Sequence, residues 1–160
     1  MRAGSSLRAI KRGGYYDICA DEGGFSVKYT PFGKTEERSF DDVFFSEWLG
    51  EPTAFGAFEG GELIGYVEGS PERWNNRFLI SNICVFENAR RGSSVGTVLL
   101  DAIQEAAASG ARMIVLETQS CNENAIAFYR KNGFEIIGFD LYAYSNDDPE
   151  RHEVRLEMGK

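Results

Sequence analysis

The sequence has few basic residues for its length. Only 17 Lys and Arg stand against 25 Asp and Glu among 160 residues, which gives a formal net charge of −8. Nucleic acids and anionic membrane surfaces are bound through clustered Lys and Arg, so the composition disfavours both. We therefore predict no nucleic-acid partner and no membrane partner. An acidic protein is better suited to a small cationic molecule.

Cysteine and histidine are also scarce. Cys19, Cys84 and Cys121 form no CxxC pair, and their odd number is typical of reduced thiols rather than of a disulfide framework. With His152 as the single histidine, four zinc ligands at usable spacing are missing, so we predict no metal site. No apolar run approaches the ~18 residues of a membrane helix, and the first residues lack the apolar segment of a signal peptide. We expect a cytoplasmic protein.

The apolar content is sufficient for a folded core. Hydrophobic residues make up 42% of the chain and aromatic residues 13%, which excludes disorder over most of its length. A length of 160 residues fits one domain, so we predict a single domain over residues 1–160. Residues 1–12 are basic and small, and we expect a frayed terminus there.

The hydrophobic pattern alternates between strand and helix periods. Two helices are predicted, one with its apolar stripe over residues 95–106 and one over residues 123–132 that Asn122 caps and Gly133 ends. Residues 40–49 fit a short helix or an aromatic loop. The order predicts a mixed sheet with helices packed on it. Predicted strands cover about residues 15–19, 24–29, 53–58, 63–68, 77–86, 113–118, 134–139 and 153–158.

The turn between the central strand and the first helix has the chemistry of an anion site. A helix N-terminus offers unpaired N–H groups and the positive end of the macrodipole, and this turn adds two guanidinium groups and two hydroxyls. An ordinary glycine-containing turn with a solvated Arg pair is the alternative. The segment reads Arg90, Arg91, Gly92, Ser93, Ser94, Val95, Gly96 and Thr97.

A second segment, residues 116–134, contains a longer motif. Asn122, Ala125, Phe128, Tyr129, Gly133 and Phe134 match every position of N-x-x-A-x-x-F-Y-x-x-x-G-F. Together with the anion-binding turn, this motif resembles the GCN5-related N-acetyltransferase (GNAT) superfamily. The resemblance covers about residues 53–139. Within the superfamily, residues 116–119, 74–75 and 141–144 are similar to streptothricin acetyltransferases.

The resemblance implies an α/β GNAT fold, with a mixed, mostly antiparallel central sheet that splays in the middle and helices on both faces. It also implies acetyl-CoA as co-substrate, with no metal. The residues that it implies for cofactor binding are Ile83, Cys84 and Val85 at the pantetheine arm, Arg90, Arg91, Gly92, Ser93, Ser94, Val95, Gly96 and Thr97 at the pyrophosphate, and Asn122, Asn124, Ala125, Phe128 and Tyr129 on the second helix.

Two residues are candidates for catalysis. Transfer of acetyl from a thioester to an amine needs a neutral nucleophile, a donor for the oxyanion and an acid for the thiolate. Tyr129 matches the family's tyrosine at the CoA sulfur and is the candidate acid; a core aromatic with a satisfied hydroxyl is the alternative. Glu117 is the candidate base. Asn122 either bonds the pantetheine or only caps its helix.

Two departures from the family pattern concern this chemistry. The central strand carries Ser81-Asn82 where streptothricin acetyltransferases and many relatives have Glu-Asp, so deprotonation of the amine falls to Glu117 or to water. Without a strong local base, activity should rise with pH toward the acceptor's own pKa. Ser94 replaces the first glycine of the phosphate loop, and its Cβ restricts the backbone and crowds the pyrophosphate.

The resemblance implies an acetyl-CoA-dependent N-acetyltransferase that acts on a primary amine of a small cationic acceptor, such as a streptothricin-like antibiotic. A catalytically degenerate CoA-binding or regulatory protein of the same fold is one alternative, and the Ser81, Asn82 and Ser94 departures favour it. A protein or peptide N-acetyltransferase is the other. The sequence leaves a homodimer open.

Overall fold

The fold is described from a computed structural model that covers residues 4–44, 49–89, 94–108 and 110–160. Five strands come first, and helices and strands alternate from α1 onward. The elements are β1 (Gly4–Asp21), β2 (Gly24–Phe44), β3 (Thr53–Glu59), β4 (Glu62–Glu72), β5 (Arg77–Val85), α1 (Val95–Ala107), β6 (Met113–Gln119), α2 (Glu123–Lys131), β7 (Glu135–Asp140), α3 (Asp148–Arg151) and β8 (Arg155–Gly159).

The strands form a mixed sheet. Among the described residues, six strands have the order β3-β4-β5-β6-β8-β7, and β1 pairs with β2 in a separate hairpin. The pairs β3/β4, β4/β5 and β7/β8 are antiparallel, whereas β5/β6 is parallel. The predicted α/β class with a mixed, mostly antiparallel sheet is confirmed.

The chain divides into two compact units. The first contains residues 1–6, 43–116 and 160, and the second contains residues 7–42 and 117–159. In the first unit α1 packs against β4, because a Cβ placed on Gly65 would lie 3.1 Å from Leu99 Cδ1. Leu99, Leu100 and Ile103 of α1 are almost fully buried. This spacing of three and four residues is the amphipathic stripe that produces the helix.

In the second unit the β1/β2 hairpin packs against α2 through polar contacts. The Glu123 carboxylate, in the first turn of α2, accepts a hydrogen bond of 2.8 Å from the Gly13 N–H and one of 2.7 Å from the Tyr29 hydroxyl. The hydrogen bond to Glu123 raises the pKa of Tyr29. The apolar core of this unit includes Ile126, Phe134, Leu156 and Met158, all buried.

The hairpin is longer than the sequence predicts. The expected short strands at residues 15–19 and 24–29 are parts of β1 and β2, and residues 4–12, expected at a frayed end, lie within β1. The segment 40–49, which from its sequence fits a helix or a loop, continues β2 as far as Phe44. Residues 45–48 lie outside the described part. Glycines, a proline and many charged residues interrupt the alternation of apolar and polar residues in β1 and β2. The alternation therefore predicts only short parts of these strands. The short helix α3 also lies in a segment expected to be a loop.

The contact between α1 and β4 leads to a stability prediction. A Cβ on Gly65 would lie 2.7 Å from the Cys84 carbonyl oxygen, so Gly65→Ala should force β4 and β5 apart and lower the free energy of unfolding by ~1–3 kcal/mol. The control is Gly50→Ala, because nothing lies within 4 Å of a Cβ there. Chemical denaturation measures both variants; equal stabilities would contradict this packing.

Candidate functional site

The antiparallel pair β4/β5 contains an irregularity at the site where the sequence departs from the family. The register passes from Gly69↔Ile80 to Glu68↔Asn82, so Ser81 is an extra residue on β5. The Ser81 hydroxyl donates a 3.3 Å hydrogen bond to the Glu68 carbonyl oxygen. This is a β-bulge, a feature that is frequent beside active sites because it redirects side chains.

The three residues predicted for the pantetheine arm lie at the end of β5. Ile83, Cys84 and Val85 pair with β4, while the parallel pairs with β6 extend from Arg77↔Met113 to Ile80↔Leu116. Their side chains are half-buried at Ile83 and Cys84 and exposed at Val85.

The α1 N-terminus has the features of an anion site. Ser94 is the N-cap residue, with φ of −75°, and its carbonyl accepts the Val98 N–H at 2.9 Å. No acidic residue lies in the first turn, so no carboxylate of that turn neutralises the positive end of the helix dipole. Val95, Gly96 and Thr97 are half-buried. Arg90, Arg91, Gly92 and Ser93, also predicted to bind CoA, lie outside the described residues.

The backbone conformation at position 94 does not require a glycine. A φ of −75° is in the range that all L-residues adopt, so the expected restriction of the backbone by its Cβ is absent. The expected crowding of a pyrophosphate remains a prediction.

The sequence reasoning overlooked one acidic residue in the first unit. Glu68, in the middle of β4, is 1% exposed and faces Asn82 across the strand pair. The signal was a carboxylate that directly follows the apolar run Ile64-Gly65-Tyr66-Val67, in a strand that is buried from residue 64 to residue 70.

In the second unit, Asn122 caps α2 as predicted. Its Oδ1 accepts a 3.4 Å hydrogen bond from the Ala125 N–H, and its backbone carbonyl accepts the Ile126 N–H at 3.0 Å. Glu123 adds a carboxylate to the first turn. This N-terminus is therefore capped and compensated by its own residues, unlike that of α1.

The other candidates on α2 differ in exposure. Tyr129 is 8% exposed, and its ring lies 5.5 Å from that of Phe128 and 6.1 Å from that of Phe134. Asn124 is exposed and donates a 3.5 Å hydrogen bond to the Lys11 carbonyl oxygen, while Ala125 is half-buried. The packing of the Tyr129 ring fits the core-aromatic interpretation and leaves the role of its hydroxyl a prediction.

The candidate base Glu117 belongs to a charged cluster around Arg155. The Arg155 guanidinium lies 3.4 Å from the Glu117 carboxylate, 3.3 Å from that of Asp140 and 3.9 Å from that of Glu157. Desolvation, followed by the neighbouring Glu117 charge, raises the pKa of Tyr144 to about 12. The cluster thus combines three carboxylates, one cation and a phenol that stays protonated at neutral pH.

The loop that carries Tyr144 is fixed by Asp148. The Asp148 carboxylate accepts hydrogen bonds of 2.7 Å from the Tyr144 N–H and 2.6 Å from the Ser145 hydroxyl. Burial alone would raise the pKa of Asp148, but these hydrogen bonds outweigh burial and the pKa is lowered. The charged form of Asp148 therefore holds the loop in place at neutral pH.

Cys121 lies immediately before the N-cap of α2, where the sequence suggests a lowered thiol pKa. The side chain is fully buried, and burial raises the pKa of the Cys121 thiol, although Arg12, with Nη1 3.8 Å from Sγ, acts in the opposite direction. The expectation of a lowered pKa is therefore wrong, and a nucleophilic role has no support.

The described residues contain neither a candidate metal cluster nor a candidate membrane-spanning helix. No group of three or more His, Cys, Asp or Glu side chains is placed to hold a metal ion. Within the same part of the chain, no helix has both the length and the apolar character that a membrane crossing requires.

Comparison with solved structures defines the class of protein. A crystal structure of nourseothricin acetyltransferase superposes with a TM-score of 0.73 over 98% of this chain and 96% of that chain, at 25% identity. A structure from Bacillus anthracis str. Ames, solved in complex with acetyl coenzyme A, gives a TM-score of 0.71 over 98% of this chain and 97% of that chain; at 23% identity it shows the fold alone. The fold is that of an acetyltransferase.

Sequence comparison identifies the family. The acetyltransferase (GNAT) family matches residues 24–134, and the chain belongs to it. Streptothricin acetyltransferase of Escherichia coli is 35% identical over 142 residues, or 88% of this chain and 79% of that protein. The Streptomyces lavendulae streptothricin acetyltransferase is 34% identical over 100 residues, which spans 61% of this chain and about half, 52%, of that protein. The predicted superfamily and the likeness to streptothricin acetyltransferases are confirmed, and membership of this family confirms acetyl-CoA as co-substrate.

The burial of Cys121 predicts its reactivity. Brief treatment of the native protein with iodoacetamide should alkylate the exposed Cys19 and leave Cys121 intact until denaturant is added, because a fully buried thiol is inaccessible. Peptide mass spectrometry measures both sites in one sample, so Cys19 is the internal control. Equal alkylation of the two thiols in the native protein would show that the second unit does not bury Cys121.

Proposed function

We propose that this acetyltransferase transfers acetyl from acetyl-CoA to a primary amine of a small cationic acceptor of the streptothricin type. The observation that carries the proposal is the similarity to the Escherichia coli streptothricin acetyltransferase over 88% of this chain. The net charge of −8 supports a cationic acceptor, since a negative field attracts it.

In the proposed complex, the first unit binds the CoA pyrophosphate with residues 90–97. The N–H groups at the start of α1 and the guanidinium groups of Arg90 and Arg91 supply the positive charge. The backbone of Ile83, Cys84 and Val85 pairs with the pantetheine arm in the manner of an added strand. A backbone N–H of β5 is the proposed donor to the oxyanion.

The second unit contributes the proposed acid. Tyr129 donates its phenolic proton to the departing CoA thiolate. Asn122, Asn124, Ala125 and Phe128 are proposed to contact the pantetheine from α2. The Asn122 side chain would use its NH₂ group for this purpose, because its Oδ1 caps the helix.

The acidic cluster of the second unit is proposed to attract the acceptor. Glu117, Asp140 and Glu157 carry three negative charges around the single cation Arg155, which leaves an excess of two for a cationic ligand. The Tyr144 ring, 52% exposed, adds an aromatic face for an ammonium or guanidinium group. Glu117, the base candidate from the sequence, is engaged here in an ion pair.

A CoA-binding protein without turnover is the second candidate, and the Ser81-Asn82 pair in place of two acidic residues favours it. CoA release from acetyl-CoA in the presence of streptothricin distinguishes the two. We expect turnover that requires both substrates. Tight acetyl-CoA binding with no turnover, for streptothricin and for a panel of cationic amines and basic peptides, would support the second candidate. Turnover with basic peptides alone would indicate a protein or peptide acetyltransferase.

Arg91→Ala tests the phosphate loop. Loss of a hydrogen bond to a charged phosphate costs ~1.5–3 kcal/mol, so the Kd for acetyl-CoA should rise by roughly 10- to 100-fold. Calorimetry measures the Kd, and Arg73→Ala is the control, because it removes an exposed arginine between β4 and β5 in the same unit. No binding by the parent protein at millimolar acetyl-CoA would refute the site.

Tyr129→Phe tests the acid. Removal of the hydroxyl should lower kcat by roughly 10- to 1,000-fold with little change in cofactor affinity, since the ring packing against Phe128 and Phe134 is retained. Steady-state kinetics and calorimetry separate the two effects, and Tyr142→Phe removes an exposed phenol as control. An unchanged kcat, with chemistry shown to limit the rate, would exclude Tyr129 from the mechanism.

A further inference from the structure

Glu68 lies where the central strand lacks its expected carboxylates. Its cross-strand partner is Asn82, one of the two residues that replace the acidic pair. The Glu68 side chain is 1% exposed and that of Asn82 is 7% exposed. The neighbouring strand β4 thus has a carboxylate directly opposite position 82, where β5 lacks one.

The register shows which face of the sheet carries Glu68. A Cβ on Gly65 would touch Leu99 and Val95 of α1, so Gly65 faces the helix. Side chains alternate along a strand, and the extra residue of the bulge is on β5 rather than β4, so Glu68 faces away from α1. The Asn82 side chain shares that face.

The same face carries two further titratable groups, Tyr66 on β4 and Cys84, its partner on β5. On the other side of β4, Ala54 of β3 pairs with Glu68 and adds no charge. By the same alternation Glu72 of β4 and its partner Arg77 of β5 also lie on this face, but they form an ion pair with each other at 2.8 Å, and Glu68 is the carboxylate opposite Asn82.

We propose that Glu68 is the general base that deprotonates the acceptor amine, in place of the carboxylates that Ser81 and Asn82 have replaced. The inference rests on the proposed amine acetylation. The bulge positions this base, because the Ser81 hydroxyl holds the Glu68 carbonyl and the register shift puts Asn82 opposite the carboxylate. It replaces the sequence-based expectation that the site has no local base.

The proposed step transfers one acetyl group and removes two protons from the acceptor nitrogen. The acceptor ammonium gives one proton to the Glu68 carboxylate, directly or through one water, and becomes a neutral amine. The amine nitrogen forms a bond to the acetyl carbon, the carbon–sulfur bond breaks, and the thiolate leaves with the electron pair. A second proton from the nitrogen neutralises the thiolate. Glu68 then releases its proton to solvent.

Glu68→Gln tests the proposal with acetyl-CoA and streptothricin as substrates. We expect kcat to fall by roughly 100- to 10,000-fold at neutral pH, the range for loss of a positioned base. In the parent enzyme kcat/KM should level off above the pKa of the base, whereas in the variant it should keep rising toward the pKa of the amine. An unchanged rate and profile would overturn the proposal, as would loss of the plateau in Glu117→Gln alone.

Two further variants separate chemistry from folding. Glu72→Gln removes another carboxylate from β4 and should leave the plateau in place. Asn82→Asp, added to Glu68→Gln, returns a carboxylate to the same face and should restore part of the rate; formate should do the same for Glu68→Ala. If the parent protein acetylates no amine, the proposed function fails together with this base. If the parent is active and Glu68→Gln is unaffected, only the base is refuted.

Discussion

The bulge at Ser81 determines which side chains of the first unit share a face. In a regular ladder, Ser81 would follow Ile80 as the partner of Glu68, and Asn82 would face Val67 on the side that α1 covers. The extra residue shifts the register by one, so Asn82 faces Glu68 and the apolar Ile83 faces Val67. A shift of one residue moves every later side chain to the other face, because the strand period is two. The bulge therefore keeps the polar pair away from α1.

The N-termini of α1 and α2 differ in the groups that surround their first N–H groups. The start of α2 is capped by Asn122, and Glu123 in its first turn binds the β1/β2 hairpin. The start of α1 has neither a side-chain cap at Ser94 nor an acidic first turn. A carboxylate in the first turn competes with an external anion for the same N–H groups and the same dipole. The α1 N-terminus is thus the one suited to a phosphate.

Local sequence signals predicted the parts of the fold that are locally determined. The α2 boundaries follow from Asn122 as cap and Gly133 as stop, and Gly133 has a φ of +88°, which favours glycine. The β1/β2 hairpin was predicted at a fraction of its length, because its contacts with Glu123 lie about a hundred residues away in sequence. Among the candidate residues, the cap role of Asn122 was predicted directly.

The sequence shows Glu68 as a carboxylate that follows an apolar run, but it does not show that Glu68 lies opposite Asn82, because that relation depends on the strand register. The register in turn depends on a bulge that no local pattern reveals. The direction of the pKa shift of Cys121 could not be predicted from the sequence for a similar reason. Its position beside a helix start is local, whereas the burial that raises its pKa comes from the packing of the second unit. Local rules give the direction of an electrostatic effect only where distant parts of the chain leave the group exposed.

The burial of Glu68 argues for a function that folding does not require. An ionised carboxylate is transferred from water to a protein interior at a cost, and partners recover that cost only in part. Strand β4 is buried from residue 64 to residue 70, so an apolar side chain at position 68 would fit its environment without that cost. Residues that reduce stability are characteristic of active sites, where activity and stability conflict. A base at this position would take the proton of the acceptor directly or through one water, and the bulge on β5 places Asn82 opposite it.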